Sequence, residues 1–575
     1  MENNILLTPV QRFWRLLKPD QSEIQNVYIY AVFSGLVSLS LPLGIQAIVN
    51  LIQGAQISTS WIVLVVFVVL GVAATGILQI FQLRITENLQ QKIFSRAAFE
   101  FAYRIPRIRM EALYNHYAPE LINRFFDTIS VQKGLSKILI DFSVASLQVI
   151  FGLILFSFYH PFFIFFSLIL VALLYAIFRF TSARGLNTSL EESKNKYKVA
   201  YWLEELARTA TTFKLNGNTD LPLERTDRHV ASYLASRESH FRILIQQYSL
   251  LVVFKVLVAT GLLAIGGILV MEQLMNIGQF IAAEIIILLV MASVEKLILN
   301  FETIYDVLTA LEKIGQVTDM ELESEEGQGI DLSENCSTCG INVDLENVNF
   351  TYPGNKQKTL NNLSLSIQDG EKIMVSGENG SGKSTLLAII AGLYDIQSGT
   401  ISYNGLPKGN LNLASVRTVI GDSLSQEELF EGTVLENIII GRESVSFDDV
   451  KWAVDHLGLT QFIKELPNGY DTKINPVGKN LPRSIVQKLL LARSISGHPK
   501  LLLLEDTFRY IDEKEKIKII DFITSAENQW TLVAISSDPY LAKRSDKVVY
   551  MKDGQIDQME TNNSTVNKKG GIDHA

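Results

Sequence analysis

The sequence predicts two unlike halves: an α-helical domain with six membrane spans, followed by an α/β domain. Three observations lead to this prediction. The chain has 575 residues, more than one domain usually holds. Its mean hydropathy is +0.20, and its apolar residues are concentrated before Asn300. Beyond residue 340, short β-rich runs alternate with helical ones, which is typical of an α/β domain.

The first half contains six stretches long and apolar enough to cross a bilayer, which takes about 20 residues. They are Val27–Ile48, Trp61–Ile80, Leu139–Phe158, Phe162–Phe180, Leu250–Met271 and Ile277–Leu299. The loops predicted outside are short and lack Lys and Arg, whereas residues 84–137 and 182–247 are long and rich in both. The positive-inside rule therefore places these long loops and the N-terminus in the cytoplasm. The amphipathic segment Pro9–Leu17 either lies on the inner membrane surface or is an ordinary cytoplasmic helix.

Two carboxylates, Glu284 and Glu295, fall inside the last predicted span. Their spacing puts them on nearly the same helix face. An ionisable group at that depth is costly unless it meets water or a partner, so both are candidate functional residues. Glu284 either lines a polar cavity or forms a structural pair. Glu295 adjoins Lys296, and the helix is expected to leave the bilayer there.

A polar, acidic linker is predicted at residues 318–340. It carries Cys336 and Cys339. One C-x-x-C pair supplies half a zinc site, so two copies across a dimer would be needed to complete one. A redox pair is another possibility, and an inert linker is the favoured interpretation. The net charge of −9 comes without a basic block, so no nucleic-acid partner is predicted.

The strongest motif lies in the second half. The eight residues from Gly377 to Ser384 read GENGSGKS and fit the phosphate-binding loop G-x-x-x-x-G-K-[ST]. An apolar run precedes them and a helical run begins at Thr385, which is the context the motif requires. Backbone amides of the loop would surround the phosphates, Lys383 would supply charge, and the Ser384 hydroxyl would reach Mg²⁺. The fold class is therefore an α-helical six-span transmembrane domain followed by an α/β P-loop nucleotide-binding domain.

At this point the chain resembles the half-transporters of the ATP-binding cassette (ABC) exporter family over nearly its whole length. The segment from Leu41 to Asn50 is similar to the first span of bacterial exporters for peptides, bacteriocins and type I secretion substrates. The resemblance implies ATP and Mg²⁺ as cofactors. It also implies a multi-pass protein of the bacterial cytoplasmic membrane, with its nucleotide-binding domain in the cytoplasm. The implied partner is a second half-transporter, the same chain or another one, and the transported substrate is not identified.

The resemblance also assigns roles at the nucleotide site. Tyr352 matches the aromatic residue that stacks on adenine, and Glu505 matches a position that holds Mg²⁺ together with Ser384. Asp506 occupies the place of the general base, with Glu505 as a weaker candidate. The full set of expected nucleotide-binding residues is Tyr352, Gly377, Glu378, Asn379, Gly380, Ser381, Gly382, Lys383, Ser384 and Thr385.

Several family positions are altered. The glutamine-loop residue becomes Ser425, with Gln426 one place away, and the switch histidine becomes Ser537. The signature L-S-G-G-Q reads LPRSI here, so Pro482, Arg483 and Ser484 stand in place of its serine and two glycines. The Asp-Glu pair that ends the Walker B strand is reversed to Glu505-Asp506, which shortens the base by one methylene. A general base must lie within about 3 Å of its water, so hydrolysis is expected to be slow.

These residues give two functional hypotheses. The first is an exporter subunit that couples ATP binding and hydrolysis to the transport of a peptide, protein or lipophilic compound. The second is a subunit that binds ATP without efficient hydrolysis and acts as a partner, switch or scaffold in a secretion assembly, since ground-state binding is separable from transition-state stabilisation. The expected domains are 1–317 (membrane), 318–340 (linker), 341–556 (nucleotide-binding) and 557–575 (polar tail).

Overall fold

The structure is a computed structural model that describes residues 7–53, 59–217, 219–323, 329–332, 340–424 and 428–562. These residues form two compact units. The helical unit comprises the chain up to Arg107 and from His116 to Met320. The α/β unit comprises Ile108–Asn115 and the chain from Glu321 onwards. The short segment Ile108–Asn115, which sequence alone assigns to the membrane domain, thus packs with the α/β unit.

Most of the helical unit consists of a few very long helices. In chain order, and including the short helix α5 of the α/β unit, the helices are α1 (Pro9–Leu17), α2 (Gln21–Ser38), α3 (Ser40–Gln53), α4 (Thr59–Arg104), α5 (Met110–Leu113), α6 (Ala118–Ile122), α7 (Asp127–Lys137), α8 (Ser143–Ser157), α9 (Pro161–Arg208), α10 (Ala210–Leu215), α11 (Leu221–Gly261), α12 (Gly267–Met271) and α13 (Ile277–Thr318).

Six helical stretches of the described chain are long and apolar enough to span a membrane, which confirms the predicted number. They are Pro9–Gln53, Thr59–Arg107, Ala118–Ser157, Pro161–Arg208, Leu221–Met271 and Ile277–Thr318. At 1.5 Å per residue, α9 is about 70 Å long, more than twice the ~30 Å hydrocarbon core of a bilayer. The long cytoplasmic loops predicted from the sequence are therefore largely continuations of the spans.

The first predicted span, Val27–Ile48, is not one continuous helix. Helix α2 ends at Ser38 and α3 begins at Ser40, so the span is interrupted at Leu39. The cause is Pro42, which has no N–H to bond to the carbonyl of Ser38. The Leu39 amide donates to the carbonyl of Leu36, three residues back, so the chain turns more tightly here than in an α-helix. The amphipathic segment Pro9–Leu17 is a helix with a Thr8 capping box.

The centre of the helical unit is packed around α13. Ile286, Ile287 and Val290 of this helix are fully buried, as are Leu251 and Val258 of α11. Some buried polar side chains in the same unit bond to one another. Gln247, for example, donates to both Thr181 and Tyr305 at 2.9 Å.

The α/β unit has an antiparallel sheet of order β2-β1-β4-β5, a larger six-stranded sheet of order β12-β11-β3-β10-β9-β6, and the pair β7-β8. The strands are β1 (Val343–Phe350), β2 (Leu360–Ile367), β3 (Lys372–Gly377), β4 (Ser398–Tyr403), β5 (Leu406–Pro407), β6 (Ile420–Ser423), β7 (Gly432–Thr433), β8 (Lys473–Ile474), β9 (Leu501–Glu505), β10 (Thr531–Ile535), β11 (Lys547–Lys552) and β12 (Gln555–Thr561). The helices are α14 (Lys383–Ile390), α15 (Leu413–Thr418), α16 (Val434–Ile439), α17 (Phe447–His456), α18 (Thr460–Glu465), α19 (Arg483–Ile495), α20 (Glu513–Ile523) and α21 (Pro539–Arg544).

The larger sheet positions the candidate site. Strands β11, β3, β10, β9 and β6 are parallel, so their carboxyl ends meet at one edge. The runs in β9 and β10 are buried throughout, as expected for strands covered on both faces. One boundary needs correction. The tail predicted to begin at Asp557 starts later, because β12 continues to Thr561 and pairs with β11.

Candidate nucleotide-binding site

The phosphate loop joins β3 to α14 at the carboxyl edge of the large sheet. Residues Glu378, Asn379 and Gly380 are exposed, whereas Ser381 and Gly382 are buried. The Lys383 ammonium is held inside the loop, where it donates to the carbonyl oxygens of Gly377 at 2.9 Å and Glu378 at 2.7 Å. Ser384 lies exposed in the first turn of α14. The loop thus presents exposed amides, an ammonium and a hydroxyl at one helix N-terminus, an arrangement that suits phosphate.

Two glycines of the loop are required by its backbone. Gly377 has φ of 140° and Gly382 has φ of 95°, values that residues with a side chain rarely adopt. A Cβ at Gly377 would lie 2.2 Å from the carbonyl oxygen of Met551. A Cβ at Gly382 would lie 2.8 Å from the carbonyl oxygen of Thr359. The motif glycines therefore permit both the turn and its close packing against neighbouring backbone.

The two acidic candidates end strand β9, and β10 lies between β9 and the phosphate-loop strand β3. Glu505 is the last residue of β9 and is half-buried. Asp506 is exposed and left-handed, with φ of 48°, and its amide donates to the carbonyl of Ile535 at 3.1 Å. Both carboxylates thus belong to the sheet edge that carries the phosphate loop.

Tyr352, the candidate adenine residue, belongs to an aromatic cluster. Its hydroxyl shares a 3.0 Å hydrogen bond with Thr385, the buried residue that follows Ser384. On its inner side it meets Phe350 and Tyr394 nearly at right angles, with ring centroids 4.9 and 5.4 Å away. Burial raises the pKa of the Tyr352 phenol, and it raises that of Tyr394 to about 12. Both rings are therefore neutral over the physiological range.

The sequence did not reveal a further ring, Tyr114, at this cluster. Tyr114 stacks on Tyr352 with centroids 4.7 Å apart and an interplanar angle of 16°. Its segment is anchored within the α/β unit by Arg109, which pairs with Glu321 at 2.8 Å and also with Asp395. The Glu111 carboxylate accepts the Asp395 amide at 2.8 Å. Tyr114 therefore covers one face of the Tyr352 ring.

The altered signature begins helix α19. Pro482 is the N-cap residue, and its carbonyl accepts the amides of Ile485 and Val486 at 2.9 and 3.1 Å. Arg483 is exposed, and its guanidinium donates to the Tyr510 hydroxyl at 2.9 Å. Proline is thus tolerated here as the helix begins, but it presents no N–H to a ligand. Ser484 follows within the first turn.

Hydrogen bonds around the buried side chain of Asn437 connect to helix α19. The Asn437 side chain is fully buried and donates to the carbonyls of Phe430 and Thr433, at 2.9 and 3.1 Å. It also accepts the Phe430 amide at 3.0 Å. Arg493 of α19 donates to the Asn437 carbonyl at 2.8 Å. These bonds tie the segment after the glutamine loop to the signature helix.

The remaining predicted residues belong to the switch position, the glutamine loop and the linker. Ser537 is exposed after β10, and the next residue, Asp538, caps α21 and pairs with Lys516 at 2.6 Å. The backbone amides and Lys516 hold the pKa of Asp538 below its usual range despite burial. Ser425 and Gln426, like Cys336 and Cys339, lie outside the described residues.

The two intramembrane carboxylates have different surroundings. Glu295 pairs with Lys255 of α11 at 2.8 Å, and each side chain is about one-third exposed. The sequence, which shows only that Glu295 adjoins Lys296, gives no sign of this partner. Glu284 is half-buried, and no hydrogen bond or ion pair joins it to another residue in the described part of the chain. The structure does not bring the two carboxylates into one site.

Comparisons with known proteins agree with this architecture. Residues 26–294 match the ABC transporter transmembrane region and residues 360–509 match the ABC transporter family. The chain is 26% identical to the transport/processing ATP-binding protein ComA of Streptococcus pneumoniae over 442 residues, which is 76% of this chain and 60% of that protein. It is 30% identical to the uncharacterized ABC transporter ATP-binding protein YfiB of Bacillus subtilis over 257 residues, covering 45% of this chain and 44% of YfiB.

A solved structure shares the fold. A bacterial Atm1-family ABC exporter with ATP bound superimposes with a TM-score of 0.82 at 16% identity, covering 94% of this chain and 95% of that one. The chain spans from less than a fifth to 60% of the length of the curated relatives that it matches. With six spans followed by one nucleotide-binding domain, the chain is a half-transporter of the ABC exporter family.

The residues present fit Mg-ATP. The exposed loop amides and Lys383 suit phosphate oxygens, and Ser384 and Glu505 offer oxygen ligands at the same sheet edge. No cluster of three or more His, Cys, Asp or Glu occurs among the described residues. A Mg²⁺ held by phosphate together with Ser384 and Glu505 would neutralise charge on the phosphates.

Proposed function

We propose that this chain binds Mg-ATP and uses it to export a peptide across the bacterial cytoplasmic membrane, as one subunit of a dimer. The observation that carries the proposal is the complete phosphate loop, with Lys383 and Ser384 in place, in a chain that also has six spans. The first span favours a peptide substrate over a lipophilic one, because it is similar to the first span of bacterial exporters for peptides and bacteriocins.

Hydrolysis is proposed to be slow. Phosphoryl transfer obtains most of its acceleration from groups that position water and stabilise charge in the transition state. Here Asp506 is one methylene shorter than the usual base, and Ser537 lacks the imidazole of the switch. Arg483 is held by Tyr510 where the family has a glycine. The groups expected to bind ground-state ATP are all present.

The second candidate function is an ATP-binding subunit that acts as a switch or scaffold. The Arg483–Tyr510 hydrogen bond favours it, because it fixes a bulky side chain at a position where backbone normally approaches the partner's nucleotide. Binding alone shifts a conformational equilibrium when two states differ in affinity. Such a subunit would change shape with ATP yet move no substrate.

The test is ATP binding and turnover by the purified full-length chain in lipid, with Lys383→Ala as the blank. Turnover above the blank, coupled to uptake of peptide into inverted vesicles, is the result expected of the exporter. Tight binding with turnover no higher than the blank would instead select the switch or scaffold. If wild type and Lys383→Ala bind ATP equally weakly, the nucleotide assignment itself fails.

A further inference from the structure

A cavity of about 570 Å³ in the helical unit lies outside every site considered above. Its walls come from the segment containing Glu120 and Arg124, from α9, from α11 and from the end of α13. Lys313 on α13 is fourteen residues beyond Leu299, where the last predicted span ends. At 1.5 Å per residue, the cavity is about 20 Å beyond the bilayer core, on the side predicted to be cytoplasmic. Its volume is in the range of pockets that hold drug-sized ligands, about 300–1,000 Å³.

The charge around this cavity is predominantly positive. Two carboxylates line it, and each is paired with an arginine: Glu120 with Arg124 at 3.1 Å, and Glu205 with Arg208 at 2.7 Å. The cationic side chains that line it are Arg124, Lys194, Lys198, Arg225 and Lys313. The paired carboxylates thus leave an excess of positive charge facing the cavity.

Lys313 is the residue that makes this cavity a binding site. It is 93% buried, with an exposed fraction of 7%. Its ammonium lies 5.4 Å from the ring centroid of Tyr197, whose hydroxyl donates to Asp127 at 2.5 Å. In the described ranges, no hydrogen bond or ion pair engages the Lys313 ammonium. A buried cation without an acceptor is costly, so an anion entering the cavity would complete a pair that the chain leaves open.

A second cation that lines the cavity is Arg225 of α11, whose guanidinium is oriented by an aromatic ring. The Arg225 guanidinium stacks 4.5 Å above the Trp202 ring. The Trp202 indole is fixed in turn by donation to Thr226 at 3.1 Å. A guanidinium held on an aromatic face keeps its N–H fork free for bidentate contact with a carboxylate. Cations on separate helices suit a ligand that carries more than one carboxylate.

We propose that this cavity binds an acidic peptide segment of the exported substrate, with its carboxylates on Lys313 and Arg225. This assignment of substrate class rests on the proposed peptide-export function. The cavity is large enough for a short peptide segment and too small for a folded domain. The unpartnered ammonium and the stacked guanidinium then provide two carboxylate sites on the predicted cytoplasmic side of the helical unit.

The experiment measures equilibrium peptide binding without ATP, so that it does not depend on turnover or transport. The full-length protein in lipid nanodiscs is titrated against a fluorescent short peptide with three glutamates, and against the same peptide with three lysines. Lys313→Met is the test variant, Lys313→Arg restores the charge, and Lys214→Met is the matched control. Lys214 is an exposed lysine of the same unit that does not line the cavity.

Wild type is expected to bind the glutamate peptide in preference to the lysine peptide. Lys313→Met should weaken that binding about ten- to hundred-fold, the worth of a charge-assisted hydrogen bond. Lys313→Arg and Lys214→Met should bind within about two-fold of wild type. Equal binding by Lys313→Met, or by the lysine peptide, would overturn the inference. Equally tight binding of free glutarate or inorganic phosphate would overturn the peptide assignment. Wild type that transports peptide but does not bind the glutamate peptide would refute this inference and leave the proposed export function standing.

Discussion

The stack of Tyr114 on Tyr352 leads to a quantitative prediction about ATP affinity. Tyr114 stacks on one face of Tyr352 with ring centroids 4.7 Å apart, and Phe350 and Tyr394 meet the same ring nearly at right angles. An adenine that stacks on the covered face has to displace Tyr114. Removing the Tyr114 ring should therefore strengthen ATP binding rather than weaken it.

The size of the effect follows from the stack that has to be broken. An aromatic pair contributes about 0.5–1.5 kcal/mol beyond the burial of its area. Since 1.4 kcal/mol is a factor of ten, Tyr114→Ala should bind ATP about two- to twelve-fold more tightly. Tyr352→Ala should act in the opposite direction, because a base stack is worth about 1–3 kcal/mol, or about five- to 150-fold in affinity.

The assay is calorimetric titration of the full-length protein with ATP and with inorganic tripolyphosphate, which has no base. Tyr114→Ala should alter the dissociation constant for ATP and leave that for tripolyphosphate unchanged. Tyr114→Phe, which retains the ring, and Tyr117→Ala, which removes another tyrosine of the same loop, are the controls. Weaker ATP binding by Tyr114→Ala would mean that Tyr114 contacts the base itself. A parallel change for tripolyphosphate would also refute the competition.

Three further predictions concern the α/β unit. Asp506→Glu should raise ATP turnover without changing ATP affinity, since it restores the reach of the base; turnover unchanged both in the lone chain and with a second half-transporter added would exclude Asp506 from that role. Asn437→Ala should lower the melting temperature, because it removes the hydrogen bonds that the fully buried Asn437 side chain makes to Phe430, Thr433 and Arg493; an unchanged value by calorimetry would contradict this network. Burial lowers the pKa of Lys372 to about 8, so the unfolded chain binds more protons between pH 8 and 10. As the pH is raised from 8 to 10, the melting temperature should therefore rise more in wild type than in Lys372→Met. Identical profiles of melting temperature against pH would refute this prediction.

The sequence predicted the features that depend on consecutive residues. The phosphate loop is one, because its glycines, Lys383 and Ser384 lie within eight positions of each other. The number of spans is another, because a bilayer imposes a minimum length on each apolar helix. The break at Leu39 was also readable in principle from Pro42, although the apolar run conceals it. In each of these cases the physical cause is local.

Features that depend on distant pairs escaped the sequence analysis. Glu295 adjoins Lys296 in the sequence, but adjacent residues on a helix point about 100° apart and do not face each other. Its partner is Lys255, on another helix. The same limit applies to Tyr114, whose loop lies far from Tyr352 in sequence and meets it only through the fold. Such pairs carry no spacing signal along the chain.

The pairing of chains determines how the altered positions should be interpreted. In the head-to-tail dimer that the family forms, each ATP meets the phosphate loop and base of one chain and the signature of the other. A homodimer of this chain would therefore combine Asp506 with Arg483 at both sites. In a heterodimer, one site would keep this chain's Asp506 beside the partner's signature, and the other would receive Arg483. Asp506→Glu then separates the cases: it should accelerate turnover of the lone chain only if Arg483 is tolerated. If acceleration appears only when a second half-transporter is added, the altered signature, rather than the short base, limits hydrolysis.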